Sequence, residues 1–115
     1  LISGARRMNK YNARKTTIDG IEFDSQKEAN RYCDLKLLER AGQITDLYLQ
    51  PVFILEEAFN KNGRHYRAIT YKADFQYKEN GKTIVEDTKG FRTEVYKIKK
   101  KLFEKRFPEY EIREL

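Results

Sequence analysis

Apolar and polar positions alternate with a period of two in some stretches of this chain and with a helical period in others, and the changes of period fall at turn signals. After a basic, polar lead from Lys10 to Thr17, Asp19-Gly20 reads as a turn that introduces Ile21 and Phe23. Ser25 stands three residues before Glu28, a capping-box spacing, and predicts a helix running through Leu35, Leu37 and Leu38 to Ala41, where Gly42 stops it. Ala29, Cys33, Leu37 and Ala41 line one apolar face of that helix, widened by Tyr32 and Leu35. Residues 44–55 alternate and are rich in β-formers, but Pro51 cannot donate to a ladder and predicts an edge strand or a bend. A polar loop through Asn60, Lys61, Asn62 and Gly63 follows. From Tyr66 to Tyr77 the alternation predicts one strand with Tyr71, Ala73, Phe75 and Tyr77 on a single face. Asn80-Gly81 is a hairpin turn, and Lys82 to Lys89 returns as a strand. A second helix is predicted from Thr93 to Phe107, with Val95, Ile98 and Leu102 at helical spacing, and Tyr110 to Leu115 forms a last short strand after Pro108.

The order is therefore helix, three strands, helix, strand (αβββαβ). Two antiparallel hairpins followed by a strand–helix–strand crossover predict an α/β fold, a mixed β-sheet flanked by helices, with a right-handed crossover. A length of 115 residues suits one domain, read here as residues 10–115, with residues 1–9 as an N-terminal tail. Charged residues make up 37% of the chain and aromatics 13%, which describes a folded domain with a heavily charged surface rather than a disordered one. Cys33 is the only cysteine, so an internal disulfide and a thiolate metal cluster are both excluded, and a reducing compartment is expected. No apolar run approaches the ~20 residues of a membrane span and no signal-peptide pattern opens the chain, so a cytoplasmic protein without a membrane partner is expected.

Candidate chemistry gathers at the Asn80-Gly81 hairpin. A two-residue turn there fixes a register in which paired residue numbers add to 161, the sum for Asn80 and Gly81 themselves. Asp74 then faces Asp87, Lys89 stands beside Asp87 on the same face, and Lys72 opposite adds a second cation. Two like charges paired across strands are destabilising unless something offsets them, and a divalent cation would. Magnesium takes one or two carboxylates together with waters and phosphate oxygens, which suits this pair. Lys89 could orient or deprotonate the attacking water and stabilise charge on a phosphate. The plain alternative makes the same four residues the solvated face of a hairpin, laced by cross-strand salt bridges. Glu86 points to the opposite face, with Phe75, and reads as structural or as a surface charge.

The strings KADF (Lys72 to Phe75) and VEDTKG (Val85 to Gly90), with Glu28 on the preceding helix, resemble the PD-(D/E)XK signature of restriction-endonuclease-like nucleases. The element order is also similar to the core of that superfamily. DGIEFDSQKEANRY, LQPVF, the KADF hairpin and YKIKKKLFEKRFP together resemble a family of short bacteriophage and prophage proteins with no firmly assigned function, over nearly the whole chain from Lys10. Carried over by position, the resemblance makes Asp74 the first acid of the motif, Asp87 the second and Lys89 its lysine. Glu28 matches the helix glutamate that many members use near the metal. It implies catalysis by Asp74, Asp87, Lys89 and Glu28, with Mg²⁺ or Mn²⁺ held by Asp74, Asp87 and Glu28. Ala73 departs from the motif, which has Pro there.

Charge supplies the remaining signal. The chain carries a formal +6, and residues 89–106 alone hold eight Lys or Arg against two Glu. Arg92, Lys97, Lys100 and Lys101 on or before the second helix, together with Lys72, are the candidate DNA contacts, because clustered cations gain by displacing counterions from phosphates. Tyr96 and Phe103 are read as core or as base-stacking platforms, Cys33 as core filler, and His65 as solvated or touching phosphate. Gln50 is a candidate contact to DNA or to the cation's water. The expected function is a phage or prophage Mg²⁺- or Mn²⁺-dependent DNA endonuclease acting in the host cytoplasm. Structure-specific or junction-resolving cleavage fits a chain with no room for a sequence-reading domain, and a symmetric junction would call for a homodimer. The rivals are a non-catalytic nucleic-acid-binding phage protein of the same fold and a structural phage protein.

Overall fold

The computed structural model describes residues 15–88 and 92–115. Two compact units make up the chain, residues 1–43 and residues 44–115.

In the first unit, strands β1 (Thr16–Ile18) and β2 (Ile21–Phe23) form an antiparallel hairpin. Its turn is Asp19-Gly20, with both residues at positive φ (54° and 75°), the backbone that matches the twist of paired strands. Helix α1 (Gln26–Arg40) begins as expected, with the Ser25 hydroxyl accepting from the Glu28 N–H at 3.1 Å. Its apolar face is not the expected one. Glu28, Ala29, Tyr32 and Leu35 are buried, whereas Leu37 and Cys33 are exposed. Tyr32 and Leu35 together bring more apolar area than Cys33 and Leu37, and the larger pair sets which face turns inward. Tyr32 stacks at a tilt on Phe23 and donates its hydroxyl to Asp19 at 3.0 Å, which ties the helix to the hairpin. Cys33 is thus no core filler.

The second unit is built on a four-stranded mixed sheet in the order β10-β9-β8-β3. Strands β3 (Thr45–Leu49) and β8 (Phe75–Glu79) pair antiparallel, as do β8 and β9 (Lys82–Asp87), while β9 and β10 (Glu111–Glu114) run parallel. Helix α2 (Glu94–Arg106) makes the crossover, capped by the Thr93 hydroxyl and ended at Phe107. Strand β4 (Val52–Glu56) pairs with β7 (Ile69–Lys72), and β5 (Phe59–Lys61) pairs with β6 (Arg64–Tyr66) in a second hairpin. The described residues are mixed α/β, with a sheet-rich core and two helices.

Two expected elements divide. Pro51 separates β3, at the edge of the four-stranded sheet, from β4, so the edge and the bend both occur. Opposite that break, the strand expected over 66–77 parts at Ala73 and Asp74 into β7 and β8. The breaks are stitched together, with the Gln50 N–H donating to the Asp74 carbonyl at 2.8 Å and the Ala73 N–H to the Pro51 carbonyl at 3.0 Å. The polar loop expected at 60–63 is instead the tip of the β5–β6 hairpin, turned by Asn62 and Gly63 at φ 52° and 73°.

The core of this unit joins Phe53, Leu55, Tyr71, Ala73, Val85, Tyr96 and Phe103, with Phe107, Tyr110 and Ile112 packed against it. Phe53 and Phe103 meet edge to face at 5.0 Å, a favourable aromatic geometry. Tyr96 and Phe103 are therefore core residues rather than stacking platforms. Val95, Ile98 and Leu102, the stripe picked out by helical spacing, lie exposed. The aromatic stripe seven residues apart, Tyr96 and Phe103, has the larger surface to bury and turns α2 that way.

Candidate active site

Asn80-Gly81 forms the predicted turn, at φ 53° and 78°, and the β8–β9 ladder keeps the expected register from Glu79↔Lys82 to Phe75↔Glu86. One step further the register fails. The Asp74 N–H donates to the Glu86 carbonyl at 3.0 Å while Phe75 is the register partner of Glu86, so two successive residues share one opposite residue, as in a bulge. Asp74 is thus not in ladder register with Asp87. Lys72 is not on that ladder either, since it is exposed on β7 and pairs with Val52.

The break also corrects the faces. Tyr71 and Ala73 join the cluster that contains Val85 and the buried residues of α2. Neighbouring residues on a strand point to opposite faces, and the hydroxyl of Tyr77 donates to Glu86 whereas that of Tyr71 donates to Asp87. Tyr71 and Tyr77 therefore serve opposite faces of the sheet. Glu86 is fully buried, which makes it structural and not a surface charge.

Asp87 has a relative exposure of 0%, which the solvated-hairpin alternative does not allow. Its Oδ2 accepts from the Tyr71 hydroxyl at 2.8 Å. Burial, followed by the Asp87 charge and this hydrogen bond, holds the Tyr71 hydroxyl far above its ordinary pKa, and the Asp74 charge adds to the effect. Tyr71 therefore stays protonated and a donor throughout the physiological range. Asp74 is half-buried, and its Oδ2 accepts from both the backbone N–H and the hydroxyl of Thr88, at 2.7 and 2.9 Å. A carboxylate gripped by two donors on one oxygen has a fixed plane.

Lys89 lies outside the described residues. Glu28 belongs to the first unit, where it is buried on α1. Among the described residues, no group of three or more His, Cys, Asp and Glu side chains is placed to hold a metal. The second unit offers a cation two carboxylates, Asp74 and Asp87, linked by Thr88, which follows Asp87 in the chain and donates to Asp74. Their oxygens are hard donors of the kind magnesium and manganese take, so the donor chemistry fits such an ion.

Strand β10 completes the surroundings. Glu114 is the parallel register partner of Asp87, and the Leu115 N–H donates to the Asp87 carbonyl at 3.0 Å. The Tyr96 hydroxyl donates to Glu114 at 2.6 Å, with Arg92 and Lys100 at 3.4 and 3.5 Å from the same oxygen. That hydrogen bond, and then the two cations, hold the Glu114 carboxyl below its ordinary pKa. Two expected DNA contacts, Arg92 and Lys100, are thus engaged with Glu114. Lys97 is exposed and pairs with Glu94 of its own helix, and Lys101 is exposed.

Two residues around the site, Thr88 and Tyr71, give no functional signal in the sequence pattern, and a third, Gln50, is expected to act through its side chain. Thr88 sits unremarked between the two charged positions of its motif, although a hydroxyl there is the natural partner for an acid across the hairpin. Tyr71 reads only as apolar, and Gln50 reaches Asp74 through its backbone, which no side-chain pattern reveals. His65 is exposed, its Nδ1–H donating to Asn60 Oδ1 at 3.0 Å.

A family model described as "Protein of unknown function (DUF1064)" matches residues 8–114. No curated protein and no solved structure matches the chain. No helix among the described residues is long and apolar enough to cross a membrane.

Proposed function

The chain belongs to the DUF1064 family, whose description assigns no activity, and we propose that it is a metal-dependent DNA endonuclease of the restriction-endonuclease-like kind, working from Asp74 and Asp87. One observation carries the reading. A fully buried Asp87, held by the Tyr71 hydroxyl, and an Asp74 clamped by Thr88, the residue after Asp87, stand together beside the break in the sheet. Like charges brought near one another destabilise a fold unless something offsets them, and a divalent cation would.

In this reading Asp74 and Asp87 hold Mg²⁺ or Mn²⁺. When bound, such an ion would polarise a phosphoryl oxygen and make water a stronger nucleophile at neutral pH. The chain's own residues do the rest. Thr88 would hold Asp74 in place for the cation, through its two hydrogen bonds to Oδ2. Tyr71 orients Asp87 through Oδ2. Lys89 enters from the sequence motif alone, as the group that takes a proton from the attacking water or steadies charge on the phosphate. The excess of cations in residues 89–106 draws the DNA backbone to the unit. The proposal calls on the two acids of the second unit and does not require Glu28. Junction or branch cleavage, in a phage or prophage setting, is the substrate class proposed.

The test is cleavage of supercoiled plasmid, a four-way junction, a flap and a single strand, each with Mg²⁺, Mn²⁺ or chelator. The proposal expects metal-dependent cleavage that favours a branched substrate. Salt-sensitive binding with no cleavage of any substrate in either metal would replace it with the binding-protein reading.

A further inference from the structure

The β5–β6 hairpin plays no part in the site or in the core of its unit. Every residue of both strands is exposed, including Phe59 and Tyr66 at 48% and 40%. These two are register partners, and their rings stack at 4.8 Å with 12° between planes. Lys61 and Arg64 are partners two residues nearer the tip, so by the period of a strand they stand on the same face, about 7 Å along. Asn60 and His65 occupy the other face. From Phe59 to Arg67 the chain has three Lys or Arg and no acid.

One face of the hairpin thus carries a pair of stacked rings followed by two cations, all in water. A cross-strand aromatic pair fastens a hairpin, but burying it would fasten as well and would not expose apolar surface. Cations beside exposed rings, on a segment without acids, complement a nucleic acid, whose phosphates take the charges and whose unpaired bases take a ring face. Paired bases are stacked within a duplex and do not offer that face.

We propose that this hairpin is an arm that grips single-stranded DNA, with Lys61 and Arg64 on phosphates and the Phe59–Tyr66 stack against an unpaired base. Resting on the nuclease reading, it supplies that site's preference for branched or frayed DNA. The geometry needs no metal, so binding by the arm is separable from cleavage.

Fluorescence anisotropy of the full chain with an oligothymidine and with a duplex of equal length, in chelator and over a range of NaCl, reads the arm directly. Lys61→Glu with Arg64→Glu should weaken single-strand binding about tenfold or more and lower the salt slope by roughly 0.7 for each phosphate left without its cation. Phe59→Ile with Tyr66→Val keeps strand-forming side chains, and should weaken single-strand binding roughly tenfold with the slope unchanged and duplex binding little affected. Urea melts of both variants matching wild type remove misfolding as a cause. Wild-type affinity and slope in the charge-reversed variant would overturn the arm, even with cleavage intact. Equal losses on duplex and single strand in the aromatic variant would also overturn it. A wild type that cleaves nothing, yet shows hairpin-dependent single-strand binding, supports the arm and removes the nuclease.

Discussion

The Oδ2 of Asp74 accepts two hydrogen bonds from Thr88, one from its backbone N–H at 2.7 Å and one from its hydroxyl at 2.9 Å. Thr88 follows Asp87 directly, so the grip on one acid is built into the strand that carries the other. The link replaces the ladder pairing that ends at Phe75 and Glu86, and it spans the place where the sheet breaks.

Thr88→Val keeps the N–H and the strand-forming shape but removes the hydroxyl. Losing a hydrogen bond to a charged group should cost about 1.5–3 kcal/mol, near the low end because Asp74 is half-buried and keeps its backbone donor. Metal-dependent cleavage should fall roughly 10- to 100-fold if the plane of Asp74 matters, the usual effect of removing a partner that orients a ligand. Urea unfolding and single-turnover cleavage measure the two separately. Loss of stability with an unchanged rate would make Thr88 a purely structural partner.

Glu114 makes the fold sensitive to acid. Its carboxyl is held low by the Tyr96 hydroxyl, with Arg92 and Lys100 adding to the effect, so the folded state binds its proton more weakly than the unfolded state. The contribution is full above the unfolded value, about 4.3, and is lost as pH falls through the lower folded value. Stability of wild type measured by urea between pH 7 and pH 3 should therefore decline more steeply at the acid end than that of Glu114→Gln. Parallel curves would remove Glu114 from the account of acid sensitivity.

The lysines of α2 divide by their partners. Lys97 pairs with exposed Glu94 of its own helix, an ion pair worth little, while Lys100 shares Glu114 with Arg92. Lys97→Ala with Lys101→Ala should lower the salt slope of duplex binding by roughly 0.9 for each phosphate no longer neutralised, whereas Lys100→Ala should change it less. Anisotropy titrations across NaCl concentration decide this, and an unchanged slope in the double variant would move the DNA path off α2.

Much of the fold is legible in the sequence because its signals are local. Ser25 and Glu28 set one helix start, Pro108 follows the end of the other helix, and Asn80-Gly81 fixes a register that the ladder keeps for five pairs. The same Asn-Gly signal at Asn62-Gly63 marks a hairpin, and its polar flanks hide the strands on either side. Helix faces are misassigned where spacing is weighed without size. Cys33 and Leu37 end up in water, and so does Ile98, because the faces that carry Tyr32 with Leu35 and Tyr96 with Phe103 have more surface to bury. The break at Asp74 is out of reach, since it depends on Gln50 and Pro51 arriving opposite from far upstream in the chain. Of the candidate site, the two acids come from the motif, the hairpin register stops short of Asp74, and the partners Tyr71 and Thr88 depend on how β7 and β9 meet in space.

The central claim is that Asp74 and Asp87 hold the cation on which DNA cleavage depends. It is tested most directly by the single-turnover rate of four-way-junction cleavage in Mg²⁺, for wild type against Asp87→Asn, with Lys89→Ala alongside. Asn keeps the size of Asp87 and can still accept from Tyr71, so folding should persist. The account predicts a loss on the order of 10²-fold or more in both variants, with junction affinity in chelator unchanged. Cleavage by Asp87→Asn at near the wild-type rate would contradict it.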